Sequence, residues 1–202
     1  METIKSVIFD WGGVLIEDPA PALMQHCADA LSVPKEDYIK AHRKFEADFQ
    51  KRSISEDVFW AKVCSELNVP KPKVLSLWKQ AFEVAYSPKA DMFGLACLLH
   101  EKNYKIAFLS NTEVPAMQYF YQQGYDMFDV IVFSCAEGTK KPERKIYELT
   151  LEKLGSQPKQ AVFIDDKQEY IKGAKEVGLN TIFFKNADQV KNELSLLFIE
   201  TD

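Results

Sequence analysis

Cysteine is scarce in this chain of 202 residues, and the four that occur stand far apart with no CxxC pair. Such spacing argues against a zinc-binding or disulfide-stabilised small domain. Each of them lies among apolar residues, which predicts small buried thiols in a reducing compartment: Cys27, Cys64, Cys97 and Cys135.

Long hydrophobic runs are missing too, since no stretch approaches the roughly 18 apolar residues of a membrane span. The short apolar run near the N-terminus meets Asp10 almost at once, which is unlike a secretory signal peptide. We therefore expect a soluble cytoplasmic protein with no membrane partner.

A basic excess is also absent, because 25 Lys and Arg stand against 30 Asp and Glu, a net charge of −5. Proteins that bind nucleic acid usually carry a basic excess or stripe, so no nucleic-acid partner is expected. The net charge leaves room for a basic pocket inside an acidic protein. The oligomeric state is left open by the sequence.

What the chain does contain is a series of short apolar runs that alternate with helical patterns. The runs cover residues 4–9, 106–109, 130–133, 162–164 and 181–184. Near-continuous apolar strands are typical of a parallel sheet buried on both faces. The alternation with helices predicts an α/β fold with a doubly wound, Rossmann-like parallel sheet.

Residues 17–88 show helical periodicity and no strand signal. One apolar stripe consists of Tyr38, His42, Phe45 and Phe49, and another begins at Val74. Ser55, followed by two acidic residues, has the pattern of a helix N-cap. We predict a four-helix cap, residues 17–88, inserted into a core domain of residues 1–16 and 89–202.

Polar residues follow the apolar runs directly. Asp10 ends the first run and precedes Gly12 and Gly13, whose backbone N–H groups can face an anion. Ser110 and Asn111 end the second run and offer a hydroxyl and an amide. In open α/β sheets ligands bind beyond the carboxyl ends of the strands, so these groups are expected to form one site.

A pair of adjacent acids, Asp165 and Asp166, ends a further run. Neighbouring carboxylates repel each other unless a cation neutralises them, and Mg²⁺ takes such ligands together with substrate phosphate. Lys141 supplies a cation on a loop before a helix. The combination fits phosphoryl transfer, with attack by Asp10 and charge neutralisation by Mg²⁺ and Lys141.

Four motifs, VIFDWGGVL, AFLSNT, KKPERKIYELTLEKLG and AVFIDDKQEYIKGAKEVG, stand in this order along the chain. The ordered set resembles the haloacid dehalogenase-like hydrolase superfamily, in its phosphatase-like branch with a small helical cap. The resemblance implies that Asp10 forms an aspartyl-phosphate. It also implies a metal site for Mg²⁺ and a phosphate site. The expected metal ligands are Asp10, the Gly12 carbonyl, Asp165 and Asp166, and the expected phosphate-binding residues are Gly12, Gly13, Ser110, Asn111 and Lys141.

The sequence departs from the family at Gly12, where active phosphatases usually carry a second aspartate that protonates the leaving oxygen. General acid–base help is worth roughly 10²–10⁴-fold in rate. Three interpretations remain. Glu17, Asp18 or a cap residue replaces the acid; the substrate has a good leaving group or a carbon leaving group; or the protein binds phosphate compounds with little turnover.

Two other activities of the family are alternatives. Phosphonoacetaldehyde hydrolases begin with a similar motif but need a Schiff-base lysine in the cap, and none stands out among Lys35, Lys40, Lys44, Lys51 and Lys62. Haloacid dehalogenases also lack the second aspartate, yet they need no metal and usually lose part of the acidic pair. The intact Asp165–Asp166 pair favours phosphate chemistry.

The prediction is therefore a Mg²⁺-dependent phosphatase of a small phosphorylated metabolite, a sugar phosphate being one candidate. The non-enzymatic alternative is a phosphate-ligand-binding or regulatory protein. Trp11 is expected either to flank the substrate or to pack beneath the cap. The three histidines share no metal-binding spacing and are interpreted as structural or surface residues: His26, His42 and His100.

Overall fold

A five-stranded parallel sheet forms the centre of the protein, which is represented by a computed structural model that describes residues 3–197 and 199–201. The strand order is β3-β2-β1-β4-β5. The chain thus leaves β1 toward one edge and later returns to fill the other, which is the doubly wound arrangement predicted. The strands are β1 Ser6–Phe9, β2 Lys105–Ser110, β3 Val130–Phe133, β4 Ala161–Asp165 and β5 Asn180–Phe183.

Helices cover both faces of the sheet and also fill the segment between β1 and β2. In that segment lie α1 Ala20–Leu31, α2 Lys35–Arg43, α3 Glu46–Gln50, α4 Glu56–Leu67, α5 Leu77–Ala85 and α6 Ala90–Glu101. The later helices are α7 Val114–Gln122, α8 Ser134–Glu137, α9 Arg144–Leu154, α10 Gln168–Val177 and α11 Ala187–Leu196. Within the described residues, no helix is both long and apolar enough to cross a membrane.

Alternating side chains of the central strand enter two different cores. Val7 and Phe9 belong to a large cluster that also contains the apolar residues of the inserted helices, whereas Ile8 packs in a smaller cluster with α9 and α10. All four residues of β1 are buried. A strand buried on both faces gains from apolar side chains on both, which explains the consecutive apolar residues Val7, Ile8 and Phe9.

Residues 17–88 contain five helices where the apolar stripes predicted four. The stripe from Tyr38 to Phe49 is split, because Phe45 leaves the helical conformation with φ −124° and ψ −4°. The break lets α3 turn so that Phe49 stacks on Phe59 with ring centroids 4.4 Å apart. The last stripe begins at Leu77 instead of Val74, since Ser76 caps that helix and accepts a hydrogen bond from the Lys79 N–H.

The inserted segment leaves and re-enters the core at one place. Ile16 forms an isolated antiparallel bridge with Pro88. On either side of it, the Glu17 N–H donates to the Ser87 carbonyl at 2.8 Å and the Lys89 N–H donates to the Leu15 carbonyl at 2.9 Å. The predicted domain boundaries at 16/17 and 88/89 coincide with this two-stranded junction, and the division into two domains stays a prediction.

Glu56 ties α4 to the beginning of α5. Its Oε1 accepts hydrogen bonds from Trp60 Nε1 at 2.9 Å, Ser76 Oγ at 3.0 Å and the Trp78 N–H at 3.1 Å. Glu56→Ala leaves partly buried donors unpaired, so we expect the free energy of unfolding to fall by about 2 kcal/mol. Chemical denaturation followed by circular dichroism measures it.

The matched control is Asp57→Ala, which removes the neighbouring acid of the same helical turn. Asp57 pairs with Lys71 across the surface, and its side chain is 79% exposed. An exposed pair of this kind is worth about 0–1 kcal/mol. Equal losses in the two variants would contradict the role given to Glu56.

Candidate active site

Three carboxylates meet beyond the carboxyl ends of β1 and β4. The two strands pair in parallel with Phe9 opposite Ile164, so Asp10 and Asp165, the residues that follow, lie side by side. Asp166 completes the group, and one oxygen from each of the three side chains lies within 4.8 Å of the others. The structure therefore brings together the three acids that the sequence placed at separate strand ends.

Lys141 lies buried between two of these carboxylates. Its Nζ is 2.7 Å from Asp10 Oδ1 and 2.7 Å from Asp165 Oδ2, and its side chain is 0% exposed. Lys140, the neighbouring lysine, instead donates to Gln50 Oε1 at 2.9 Å. The lysine of the acidic group is thus Lys141, as predicted.

The charges of the group are unbalanced. Burial opposes the charge on Lys141, but Asp10 and Asp165 outweigh it and raise the pKa of the ammonium group above its usual value. Burial and then repulsion by Asp10 raise the pKa of Asp165 and that of Asp166 above the usual aspartate range. Both directions have one cause, which is that several buried carboxylates share one lysine.

A divalent cation fits this imbalance. Asp166 Oδ1 is buried and has no hydrogen-bond partner among the described residues. Carboxylate oxygens are the hard ligands that Mg²⁺ prefers. The orphaned oxygen and the excess negative charge together suit a Mg²⁺ ion held by Asp10, Asp165 and Asp166.

Asn111 holds the backbone of Lys141. Its Oδ1 accepts from the Lys141 N–H at 2.8 Å, and its Nδ2 donates to the Lys141 carbonyl at 2.9 Å. The amide therefore positions the lysine, and a direct phosphate contact by Asn111 stays a prediction. Ser110, also buried, lies 2.5 Å from Thr112 through their hydroxyl oxygens and lines the cavity beside Asp10.

The acidic group opens into a cavity of about 120 Å³ between the sheet and the inserted helices. Gly12 and Ser110 line its core side, and Leu23, Trp78 and Phe82 line the opposite side. Trp11 packs beneath the inserted helices, with its ring centroid 4.8 Å from that of Phe82, and it also lines the cavity. Contact between Trp11 and the substrate stays a prediction.

Comparison with protein families agrees with this geometry. The model of the haloacid dehalogenase-like hydrolases matches residues 4–178. The chain belongs to this family. It is a hydrolase, and the resemblance seen in its four motifs is confirmed.

Relatives of this hydrolase differ in their overall construction. Acyl-CoA dehydrogenase family member 10 of Mus musculus is 29% identical over 96% of the chain, which spans only 19% of that protein. A sesquiterpene phosphatase of Aspergillus oryzae is 25% identical over 88% of each protein. A family enzyme from Bacteroides thetaiotaomicron, solved with magnesium and inorganic phosphate, has a TM-score of 0.69 at 23% identity over 90% of this chain and 94% of that one. Solved dehalogenases share the fold as well.

At position 12, where this hydrolase lacks the second aspartate, little space is available for a side chain. A Cβ atom at Gly12 would lie 3.0 Å from Cδ of Pro19, at the N-cap of α1. The proline ring therefore occupies space that a side chain at position 12 would need. Of the replacements considered from the sequence, Glu17 and Asp18 are both exposed; Glu17 pairs with Lys89, and Asp18 lines the cavity.

The cavity wall adds residues that the sequence did not single out. His42, interpreted as structural or surface, lines the cavity, as do Gln50 and Glu113. Glu113 could have been noticed, because it lies three residues after Ser110 at the start of α7. The lysines of the wall are Lys141 and Lys167, and none of the five cap lysines weighed for Schiff-base chemistry lines it.

Gly13 leaves room for the acidic group in a way that no other residue can. Its φ is +89°, and a Cβ atom there would lie 2.3 Å from Asp166 Oδ2. Gly13→Ala must displace that carboxylate, and displacement of a catalytic group by about 1 Å costs roughly 10²-fold in rate. We expect a loss of that size in hydrolysis of p-nitrophenyl phosphate with Mg²⁺, together with weaker Mg²⁺ binding by calorimetry.

Gly138→Ala is the matched control, since Gly138 has a φ of +66° but nothing within 4 Å of an added Cβ atom. It carries the same backbone strain without the collision. If Gly138→Ala lowered activity and Mg²⁺ binding as much as Gly13→Ala, the steric argument would be wrong.

Proposed function

We propose that the protein is a Mg²⁺-dependent phosphatase that removes phosphate from a small phosphorylated metabolite through an aspartyl-phosphate on Asp10. The observation that carries the proposal is the buried bridge of Lys141 between Asp10 and Asp165, beside an orphaned oxygen of Asp166. The similarity to a sesquiterpene phosphatase over 88% of both chains supports it. A sugar phosphate remains one candidate substrate.

Asp10 is prepared for attack at phosphorus. Its Oδ1 accepts from Lys141 Nζ and from the Trp11 N–H, both at 2.7 Å. These bonds orient the carboxylate and leave Oδ2 as the oxygen that attacks. The P–O bond to the leaving group then breaks, and water later hydrolyses the aspartyl-phosphate.

The surrounding groups bind the phosphoryl oxygens. Lys141 places its positive charge at Asp10, and the Ser110 hydroxyl lies in the same cavity wall. Asp10, Asp165, Asp166 and the Gly12 carbonyl would hold a bound Mg²⁺ ion. That ion would neutralise the negative charge of the phosphoryl oxygens. Residues 17–88 form the cap in this proposal and shield the reaction from bulk water.

One feature favours a second function, a phosphate-ligand-binding or regulatory protein. Gly12 supplies no proton to the leaving oxygen, and Pro19 fills the adjacent space. Metal-dependent binding of phosphate esters by the wild-type protein, without hydrolysis of any of them, would establish this alternative over the phosphatase.

Asp10→Asn tests the nucleophile. The amide cannot form an acyl-phosphate, so we expect hydrolysis of any phosphomonoester to fall by at least about 10³-fold while the circular dichroism spectrum stays unchanged. Phosphate release is measured at saturating Mg²⁺. Asp188→Asn, an exposed change on α11, is the control. Retention of full activity by Asp10→Asn would exclude Asp10 as the nucleophile.

Gly12→Asp tests whether proton donation limits the rate. The single variant collides with Pro19, so we expect little gain from it alone. Gly12→Asp combined with Pro19→Ala removes the collision, and we expect hydrolysis of alkyl phosphates to rise by roughly 10-fold or more over Pro19→Ala. No gain in the double variant would show that another group already supplies the proton.

A further inference from the structure

The two ends of the cavity carry different charges. Lys141 and Lys167 lie at the end that contains the acidic group. Apart from the acidic group, the other charged residues of the wall are Asp18, Glu46 and Glu113. Lys140 is not part of the wall, but its Nζ donates to Gln50 Oε1 at 2.9 Å. A leaving group that carries a carboxylate or a second phosphate would find no cation in the wall other than Lys141 and Lys167.

Glu113 is the most deeply placed of these acids. It is 7% exposed, and its Oε2 accepts a hydrogen bond from Trp78 Nε1 at 3.0 Å. Burial raises its pKa to about 7, so near neutral pH a large fraction of the side chain is a neutral carboxylic acid. In that form it can donate one hydrogen bond to a ligand while it accepts the one from Trp78.

His42 places a second neutral polar group in the same wall. Its ring stacks on that of Trp78, with centroids 5.3 Å apart and planes at 6°. The side chain is 3% exposed, and Nε2 has no hydrogen-bond partner within the described part of the chain. Burial lowers its pKa to about 4, so the imidazole is neutral in the cell. An unpaired buried nitrogen costs free energy unless a ligand or water satisfies it.

Gln50 connects this wall to the core. Lys140 Nζ donates to Gln50 Oε1 at 2.9 Å, and Ser134 Oγ donates to the Gln50 carbonyl at 2.7 Å. Gln50 Nε2 in turn donates to Glu46 Oε1 at 3.3 Å. The polar groups contributed by α2 and α3 are therefore held in place against the sheet domain.

We propose that His42, Glu46, Gln50, Trp78 and Glu113 form a leaving-group subsite that selects a compact, uncharged, hydroxyl-bearing leaving group, as in a small phosphorylated polyol or sugar. The proposal rests on the phosphatase function proposed above. Glu113 and His42 bind the hydroxyl groups, and the faces of Trp78 and Phe82 contact the carbon chain. The cavity volume of about 120 Å³ favours a compact leaving group.

The polar groups of the subsite disfavour alkyl, carboxylate and ammonium leaving groups. An alkyl chain would leave the Glu113 hydroxyl and His42 Nε2 unpaired, and a site built to bind a hydroxyl strongly rejects an analogue that lacks it. A carboxylate would share the wall with Asp18 and Glu46 and find no cation in it other than Lys141 and Lys167. An ammonium group gains no ion pair from Glu113, whose burial opposes ionisation, so only Asp18 and Glu46 attract it.

Four phosphate esters of similar size separate these cases. They are glycerol 3-phosphate, n-propyl phosphate, 3-phosphoglycerate and phosphoethanolamine, assayed as kcat/KM with saturating Mg²⁺. We expect glycerol 3-phosphate to exceed each of the other three by at least about 10-fold. A preference for phosphoethanolamine, for 3-phosphoglycerate or for n-propyl phosphate would overturn the proposal.

Two substitutions of Glu113 then test its role. Glu113→Gln can still accept from Trp78 Nε1 and donate to a hydroxyl, so it should keep the ratio of glycerol 3-phosphate to n-propyl phosphate within about 3-fold of wild type. Glu113→Leu, of similar volume, should lower that ratio by about 10-fold or more. Glu152→Gln, on the exposed side of α9, is the control for changes in charge.

If Glu113→Gln and Glu113→Leu lowered the ratio of glycerol 3-phosphate to n-propyl phosphate equally, the ionised carboxylate of Glu113 would be required. That result would contradict the proposal that neutral Glu113 binds a hydroxyl group. If Glu113→Leu does not fold, His42→Phe takes its place, because it retains the stack on Trp78 and removes only the unpaired nitrogen. An unchanged ratio in that variant would also contradict the subsite.

Failure of the phosphatase proposal can be distinguished from failure of the subsite. Hydrolysis of all four esters at similar rates, abolished by Asp10→Asn, would remove only the subsite. If the wild-type protein hydrolyses none of them, the phosphatase proposal fails, and calorimetry with the same esters and Mg²⁺ tests the subsite. The same order of affinities is then expected, and any other order overturns it.

Discussion

The structure of the site depends on one interaction, the burial of the Lys141 ammonium group between Asp10 and Asp165. The three carboxylates approach within 4.8 Å, a distance at which two like charges repel by about 3 kcal/mol at an effective dielectric constant of about 20. One lysine offsets only part of this. The remaining negative charge favours binding of a divalent cation at the acidic group, and a bound cation would in turn favour binding of phosphate.

Several elements serve to hold that lysine and the acids in position. Asn111 binds both backbone polar groups of Lys141. Pro142, which follows Lys141, packs closely against Gly173 of α10, because a Cβ atom at Gly173 would lie 2.9 Å from the Pro142 carbonyl oxygen. Asp166 packs against Gly13 in the same way. These polar and glycine positions of the motifs thus act less as separate ligands than as supports for a few charged groups.

Much of this could be predicted from the chain. Apolar runs indicated every strand of the sheet, and the order of the motifs indicated Asp10, Lys141, Asp165 and Asp166, because strand ends that carry polar groups lie at one edge of a parallel sheet. The helices of residues 17–88 were predicted less well. Their apolar stripes indicate which side is buried, but the break at Phe45 depends on packing of Phe49 against Phe59.

The sequence by itself determined the fold class and the acids at the strand ends, since these follow from local patterns, and its ordered motifs resembled the family that the comparison then showed. Only the tertiary structure decided what the leaving-group side is made of. Glu113 of the core and His42 and Trp78 of the inserted helices are far apart in sequence and meet through packing. Their protonation states arise from burial, a property that no single segment of the chain possesses before it folds.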